Sequence, residues 1–165
     1  MASGVAVDEE VEKMIQKMQM PCSKGGKDER LKLLIMRLNE DDTRIVVDHD
    51  CTRCQKDFSS EDDIYKEVMK TFKDDQCCYA VYDCFYQTKE ASSKEELVFI
   101  TWCPDLAPVK QRMLYGSSAT GLKSKCPGIK HQLQMNDQSD KDISNLIEKF
   151  GTKGAVREVE GKPIH

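Results

Sequence analysis

The residue types best suited to chemistry in this 165-residue chain are its cysteines, and Cys51 and Cys54 form a Cys-x-x-Cys pair. His49 lies beside the pair, and Cys77 and Cys78 follow further along. Such a pair can form a redox-active disulfide or supply part of a tetrahedral zinc site. Zinc needs four converging ligands, whereas adjacent residues at the start of a strand point to opposite faces. We therefore favour redox pairing of Cys51 with Cys54 over zinc, and we expect no bound metal.

Free thiols are nevertheless the first expectation for the eight cysteines, which are Cys22, Cys51, Cys54, Cys77, Cys78, Cys84, Cys103 and Cys126. In a small secreted domain they would indicate a disulfide framework. This chain is long enough to bury a core without cross-links, and "MASGVAVDEE" at its start does not resemble a secretory signal. No apolar run approaches the roughly 20 residues that cross a bilayer. We therefore expect a cytoplasmic protein with reduced cysteines.

Sequence patterns of known catalytic sites are absent. The chain has only three histidines, and no GxSxG, HExxH, P-loop or GxGxxG pattern occurs. Acidic pairs such as Asp41 with Asp42 are typical of turns and caps. We therefore predict a protein that is not an enzyme and that needs no cofactor.

Charge is distributed unevenly along the chain, whose formal net charge is -4. Between Pro104 and Gln134 a single acid, Asp105, accompanies five bases, which are Lys110, Arg112, Lys123, Lys125 and Lys130. A basic surface on an acidic protein can dock an acidic partner. For any single base, a solvated lysine face is the alternative interpretation.

Apolar periodicity in the first half of the chain predicts a helix, a hairpin and a second helix. The first helix has one apolar face, formed by Val7, Val11, Met14 and Met18, and the acids of residues 8–10 start it with favourable negative charge. The hairpin joins "LKLLIMRL" to "TRIVVD" through the turn "NEDD". The second helix begins at a capping box of Ser60 and Asp63 and repeats apolar residues at Ile64, Val68 and Phe72.

The second half predicts two long strands, two helices and a last short strand. The strands are "CYAVYDCFY" and "ELVFITWC", and the first helix spans residues 104–125 from Pro104, with Pro108 in its first turn. The last helix is capped by Ser139 and Asp142, ends at Gly151 and presents Ile143, Leu146, Ile147 and Phe150. "GAVREVEG" is the last strand. The order αββαββααβ predicts an α/β fold of the α+β type, a mixed sheet between helices, in a single domain over residues 1–165.

Five stretches in order carry a resemblance to a known family. They are "MASGVAV" at the start, "YAVYD" at 79–83, "ELVFITWCPDLAPVKQRMLY" at 96–115, "GIKHQLQ" at 128–134 and "EGKP" at 160–163. Together they resemble the vertebrate-type actin-depolymerising factor and cofilin family over essentially the whole chain. The resemblance implies the actin-depolymerising factor homology fold, with five main strands between helices. It also implies a monomeric protein that binds actin monomers and filament sides and promotes severing and depolymerisation, with no role for nucleic acid.

The resemblance further implies which residues meet actin. In the family the helix beginning at "APVKQRMLY" inserts into a cleft of actin, so Lys110, Arg112 and Met113 match contact positions. Ser3 and Gly4 match positions that complete this surface, and phosphorylation at Ser3 by a regulatory kinase, reversed by a phosphatase, switches binding off. Burial of Met113 in the core is the alternative interpretation. The small residues at 116–121 would let the helix pack closely on the sheet.

Two further surfaces follow from the same resemblance. Filament contacts match Lys89, Lys94, Glu148, Arg157 and Glu158. A phosphoinositide-binding region matches Lys123, Lys125, Lys130 and His131. Asp28 and Glu29 interrupt the basic run that resembles a nuclear import signal in relatives, which weakens that prediction for this chain.

Two other functions remain as alternatives. Relatives with the same fold, such as glia maturation factor and coactosin, act on branch complexes or on filaments only, although "MASG" and "APVKQRM" favour the first function. A thiol redox or zinc protein centred on Cys51, Cys54 and Cys77 belongs to a different class.

Overall fold

The structure is a computed structural model that describes residues 4–19, 30–58, 63–89, 93–149, 156–160 and 162–163. Nine strands and four helices occur within these residues. In chain order they are β1 (Ala6–Val7), α1 (Glu9–Gln19), β2 (Leu31–Leu38), β3 (Arg44–Val47), β4 (Arg53–Cys54), α2 (Ile64–Lys70), β5 (Cys78–Thr88), β6 (Ser93–Trp102), α3 (Val109–Lys123), β7 (His131–Met135), α4 (Ile143–Lys149), β8 (Val156–Val159) and β9 (Lys162–Pro163). None of the helices in the described ranges is long and apolar enough to cross a membrane.

The strands form one mixed sheet in the order β1-β3-β2-β5-β6-β7, with β4 paired to β2, and β8 paired to β5 and β9. The five main strands β3, β2, β5, β6 and β7 agree with the predicted mixed sheet. The pairs β2–β3, β2–β5 and β5–β6 are antiparallel, whereas β7 runs parallel to β6 and β1 runs parallel to β3. The central hairpin of β5 and β6 is the longest pairing, as its aromatic and β-branched sequence predicts.

Two hydrophobic cores lie on opposite faces of this sheet. Helices α1 and α3 cover one face, where Val11, Ile15 and Leu122 pack among alternate residues of the strands. Helices α2 and α4 cover the other face, where Val68 and Leu146 are buried. Because strand residues alternate between faces, both sides of the sheet are apolar and need helices. The predicted sandwich of a sheet between helices is therefore confirmed.

The structure corrects the predicted boundaries of three elements. Val7 lies in β1, and helix α1 begins at Glu9. Helix α3 begins at Val109 and not at residue 104, because residues 104–107 form a turn closed by the Ala107 N–H and the Pro104 carbonyl. Helix α2 begins at Ile64, and Asp63 is its N-cap, accepting from the backbone N–H of Lys66. Ser60, Phe150 and Gly151 lie outside the described residues.

Strand β7 was missing from the predicted order. Its sequence "HQLQM" alternates polar and apolar residues over only five positions, with Leu133 and Met135 buried. A period-two pattern of only five residues does not distinguish a strand from a loop. Its parallel pairing with β6 requires the chain to cross the sheet, and α3 provides that crossover.

A buried ion pair joins the end of the chain to β2. Lys32 Nζ lies 2.7 Å from Glu160 Oε1, and their side chains are 5% and 1% exposed. Glu160 Oε2 accepts from the Tyr82 hydroxyl at 2.7 Å, and Oε1 also accepts from the Phe85 N–H at 3.1 Å. Burial raises the pKa of Glu160, while Lys32 and these hydrogen bonds oppose that shift. The carboxylate thus connects β2, β5 and the turn after β8.

Candidate functional site

An exposed apolar surface surrounds the start of helix α3. Leu106, Val109 and Met113 are 75%, 61% and 69% exposed, and they are the exposed large hydrophobic residues of the described part of the chain. Lys110 is exposed between them. Positions 109, 110 and 113 follow helical spacing and therefore share one side of α3, while Leu106 lies in the turn of residues 104–107 that precedes the helix. We call these four residues the α3 surface. Exposed apolar groups rimmed by charge are typical of a protein interaction site.

The opposite side of α3 fixes the helix to the sheet. Tyr115 is buried, its hydroxyl accepts from the Leu38 N–H at 2.9 Å, and its carbonyl accepts from the Tyr79 hydroxyl. Ser118 and Leu122 are buried on the same side. Contacts with β2 and β5 therefore hold the helix rigidly, which leaves the α3 surface facing solvent.

The small residues of α3 are predicted from the sequence to pack on the sheet, and the structure shows that only some of them do. Ser118 and Ala119 are buried, but Gly116, Ser117, Thr120 and Gly121 are exposed. A Cβ built on Gly116 or Gly121 would meet no atom within 4 Å. The glycines therefore extend the α3 surface as a shallow, open helix face, and close packing on the sheet does not explain them.

Met113 and Arg112 occupy different environments. Met113 is exposed on the α3 surface, which excludes its burial as core filler. Arg112 is half-buried, and its Nε donates to the Ala107 carbonyl at 3.2 Å. The structure thus groups Met113 with Lys110 and turns Arg112 back onto the loop that precedes the helix.

The first described residues lie beside α3. Gly4 is exposed with a φ of 83°, a left-handed conformation that favours glycine. The next strand, β1, contacts α3 and pairs with β3 at the edge of the sheet. Gly4 therefore precedes a strand that borders α3, whereas Ser3 lies outside the described residues.

Several residues assigned to a filament surface lie at one end of β5. Lys89 and Lys94 are exposed where β5 and β6 are connected. Lys94 lies opposite Tyr86 from β6, and Glu158 lies opposite the next residue, Gln87, from β8. Glu148 is exposed on α4, and Arg157 lies in β8, where its side chain is outside the described residues. The structure thus brings together Lys89, Lys94 and Glu158.

The basic residues assigned to phosphoinositides are largely engaged within the protein. Lys123 Nζ lies 5.8 Å from the ring centroid of Phe99, and Lys125 Nζ lies 3.6 Å from a carboxylate oxygen of Glu12. His131 Nε2 lies 3.2 Å from a carboxylate oxygen of Glu96. Lys130 is exposed. Glu12 and Glu96 thus place negative charge beside Lys125 and His131.

None of the seven cysteines in the described residues forms a disulfide. Cys77 and Cys78 lie in the two different cores, as the strand geometry predicts. Cys51 and Cys54 are half-buried. Among the described residues, no group of three or more histidines, cysteines and acids is placed to hold a metal ion.

Sequence reasoning did not include Leu106 and Val109 in the site. Both are apolar residues that precede Met113 at helical spacing, seven and four positions earlier, and that pattern was available in the sequence. Periodicity alone assigns such residues to a core, because it does not show which face of a helix meets the sheet. Only their exposure in the structure identifies them as surface residues.

The chain matches a known protein family over most of its length. A family model described as cofilin/tropomyosin-type actin-binding protein matches residues 4–151. The chain belongs to this family. Its members are actin-binding proteins, and the comparison agrees with the absence of catalytic patterns in the sequence.

Solved structures of family members have the same fold. A cofilin of Streptomyces griseoflavus is 30% identical, with 88% of this chain and 96% of that chain covered and a TM-score of 0.67. Actin depolymerization factor 2 of Plasmodium berghei is 25% identical, with coverages of 89% and 97% and a TM-score of 0.72. The ADF-like protein UNC-60A of Caenorhabditis elegans is 27% identical, with coverages of 93% and 98% and a TM-score of 0.66. These matches confirm the actin-depolymerising factor homology fold.

Proposed function

We propose that this protein binds actin monomers and the sides of filaments in the cytoplasm and promotes filament severing and depolymerisation, as vertebrate-type cofilins do. The observation that carries the proposal is the α3 surface, three exposed apolar side chains around Lys110, in a member of an actin-binding family. The stretches "MASGVAV" and "APVKQRMLY" support the vertebrate-type function. Gly4, beside β1, supports the inclusion of the N-terminus in this site.

The physical basis of monomer binding is burial of the α3 surface in an actin cleft. Full burial of an aliphatic side chain is worth about 1.5–3 kcal/mol. Three such side chains supply several kcal/mol before association costs are subtracted. Lys110 adds charge complementarity to an acidic partner, which favours encounter and orientation. Arg112 supports the site by holding the entry loop through Ala107.

Filament binding uses a second surface in this proposal. Lys89, Lys94 and Glu158 surround the end of β5, and Glu148 and Arg157 are further members assigned by resemblance. The α3 surface lies on a helix that covers one face of the sheet, whereas the second surface lies at the end of the central hairpin. A protein with two such surfaces can contact two actin subunits at once and thereby alter the contact between them.

Charge reversal at the hairpin tests the use of two surfaces. We expect Lys89→Glu with Lys94→Glu to lose filament co-sedimentation and severing, seen by fluorescence microscopy of single filaments, while monomer binding stays within twofold. Both side chains are exposed, so folding is unaffected. The wild type should sever filaments and bind monomers. Filament binding without monomer binding would instead support a coactosin-like function, and an effect confined to branches would support a function like that of glia maturation factor.

Phosphorylation of Ser3 is the proposed switch. A phosphate adds about -1.5 to -2 charges at neutral pH, and it would meet an acidic partner or engage Lys110. We expect Ser3→Glu to weaken both monomer and filament binding, whereas Ser3→Ala leaves them unchanged. Dissociation constants measured with one actin preparation check this. Equal constants for the two variants would exclude the N-terminus from the site.

Phosphoinositide headgroups are a further proposed ligand of Lys123, Lys125, Lys130 and His131. Both Lys125 and Lys130 are exposed, but Glu12 lies 3.6 Å from Lys125 and offsets its charge, so we expect Lys130→Glu to reduce binding to phosphoinositide vesicles more than Lys125→Glu does. Both effects should weaken as added salt screens the charges. Vesicle co-sedimentation measures this, and binding that both variants retain in full at low salt would contradict the assignment.

A further inference from the structure

Two cysteines outside the Cys-x-x-Cys pair lie opposite each other at the open end of the central hairpin, far from the connection between β5 and β6. Strands β5 and β6 are antiparallel, and Cys78 is paired with Trp102. Cys77 directly precedes Cys78, and Cys103 directly follows Trp102, so these two cysteines occupy the next pair of opposite positions. Both belong to the core beneath α3, whereas Cys78 and Trp102 belong to the other core. Cys77 and Cys103 therefore face the same side, and they are 4% and 8% exposed.

The spacing of such a pair suits a disulfide. Residues directly opposite in an antiparallel pair have Cα atoms about 4.5–5.5 Å apart. Disulfides span Cα distances of about 4.4–6.8 Å. The thiols of Cys77 and Cys103 are already close enough to share a hydrogen bond. Oxidation of this pair therefore requires little movement of the backbone.

The surroundings make one of these thiols more acidic than the other. The hydrogen bond from Cys77 lowers the pKa of Cys103, against burial, and the nearby positive charge of Arg112 lowers it further. The same hydrogen bond, together with burial, raises the pKa of Cys77. Nucleophilic attack requires a thiolate, so Cys103 is the better nucleophile. Cys77 is then the resolving cysteine, whose thiol attacks the oxidised Cys103 sulfur.

We propose that Cys77 and Cys103 are a hydroperoxide-sensitive thiol pair that closes to an intramolecular disulfide. The Cys103 thiolate attacks one oxygen of hydrogen peroxide, the O–O bond breaks, and hydroxide leaves as the sulfenic acid forms. The Cys77 sulfur then attacks the sulfenic sulfur, and its thiol proton leaves with the sulfenic hydroxyl as water. The proton released when Cys103 ionised neutralises the hydroxide of the first step. Two thiols are oxidised by two electrons and one peroxide is reduced to two waters. A dithiol restores both thiols by reducing the disulfide through thiol–disulfide exchange.

The other cysteines of the described chain are less suited to this reaction. Burial raises the pKa of Cys84 and Cys126, and the Cys126 thiol also donates to the Leu122 carbonyl at 3.2 Å. Cys51 and Cys54 are more exposed and remain the competing pair. Oxidation of Cys77 and Cys103 does not depend on actin binding, because the reaction takes place within the isolated protein.

Mass spectrometry of the peroxide-treated protein tests the proposal. Purified full-length protein is treated with a small molar excess of hydrogen peroxide, blocked with N-ethylmaleimide and digested without reduction. We expect the main cross-link to join the peptide with Cys77 and Cys78 to the peptide with Cys103. Fragmentation between residues 77 and 78 should place the bond on Cys77, and treatment with dithiothreitol should remove it.

Single substitutions provide the matched controls. Cys77→Ala and Cys103→Ala should abolish the cross-link, whereas Cys78→Ala should retain it, and circular dichroism should show that all three fold. A main bond between Cys51 and Cys54, or one placed on Cys78, would overturn the proposal. Because fragmentation of the wild type already locates the bond, the test stands even where a variant does not fold.

A second arm tests the role of Arg112. Arg112→Gln should slow disulfide formation at neutral pH several-fold, because the thiolate of Cys103 loses its neighbouring positive charge. Lys110→Gln is the control, since Lys110 is an exposed base of the same helix on the α3 surface. Equal rates for the wild type and the Arg112→Gln variant would contradict activation of Cys103 by Arg112.

Discussion

The double variant Lys110→Glu with Met113→Asp is expected to weaken binding to actin monomers by about 100-fold or more, because both substitutions place acids on the surface proposed to meet an acidic partner. Loss of a central apolar contact typically costs at least about 2 kcal/mol, and a like-charge contact adds to that. A 100-fold change corresponds to about 2.7 kcal/mol. Fluorescence titration of labelled actin monomers measures the effect.

Folding should be unaffected in this variant. Both side chains are exposed, and the contacts that hold α3 are made by Tyr115 and its buried neighbours. Lys66→Glu is a suitable control, because Lys66 is an exposed lysine of α2 on the opposite side of the sheet. Unchanged monomer affinity in the double variant would remove the α3 surface from the proposed function. Arg112 is a poorer target, since its loss also releases the Ala107 carbonyl.

The sequence predicted the elements whose side chains carry a strong periodic signal. The aromatic and β-branched residues of β5 and β6 indicate a long hairpin, and the structure contains one. Strand β7 did not emerge, because five alternating residues next to a helix give too weak a pattern. The order of the strands also depends on the parallel pairing of β6 with β7, which no local pattern specifies.

The candidate site was predictable by residue type but not by orientation. The resemblance pointed to Lys110, Arg112 and Met113 together, while the structure exposes two of them and turns Arg112 inward. Periodicity does not show which side of α3 faces the sheet, because small and polar residues occur on both sides of the helix. Leu106 lies in the turn before the helix, where helical periodicity does not predict its exposure.

Contacts between residues far apart in the chain could not be predicted from local sequence patterns. Lys32 and Glu160 are 128 positions apart, and each has the composition of an ordinary surface residue. Their burial follows from the pairing of β8 with the end of β5, which brings the turn after β8 beside β2. A motif at residues 160–163 supported the resemblance without indicating that its acid is buried.

Glu160→Gln is expected to destabilise the protein by about 3–5 kcal/mol. The substitution keeps the size of the side chain but leaves the Lys32 ammonium buried without a counter-charge, and breaking one partner of a buried pair has a cost of this size. The amide also cannot accept from all the groups that the carboxylate oxygens serve, which are Lys32, Tyr82 and the Phe85 N–H. Urea unfolding followed by the fluorescence of the single tryptophan, buried Trp102, measures the loss.

A second substitution separates the lost charge from the lost hydrogen bonds. If the unpaired ammonium causes most of the loss, Lys32→Met combined with Glu160→Gln should recover at least half of the stability, because an apolar side chain then fills the buried position. If the hydrogen bonds to Tyr82 and Phe85 dominate, the double variant should remain as unstable as the single one. Glu148→Gln, an exposed acid on α4, should change the free energy of unfolding by no more than about 0.5 kcal/mol. If Glu160→Gln lowers the free energy of unfolding by less than about 1 kcal/mol, the negative charge of Glu160 is not needed to hold the turn after β8 against the sheet.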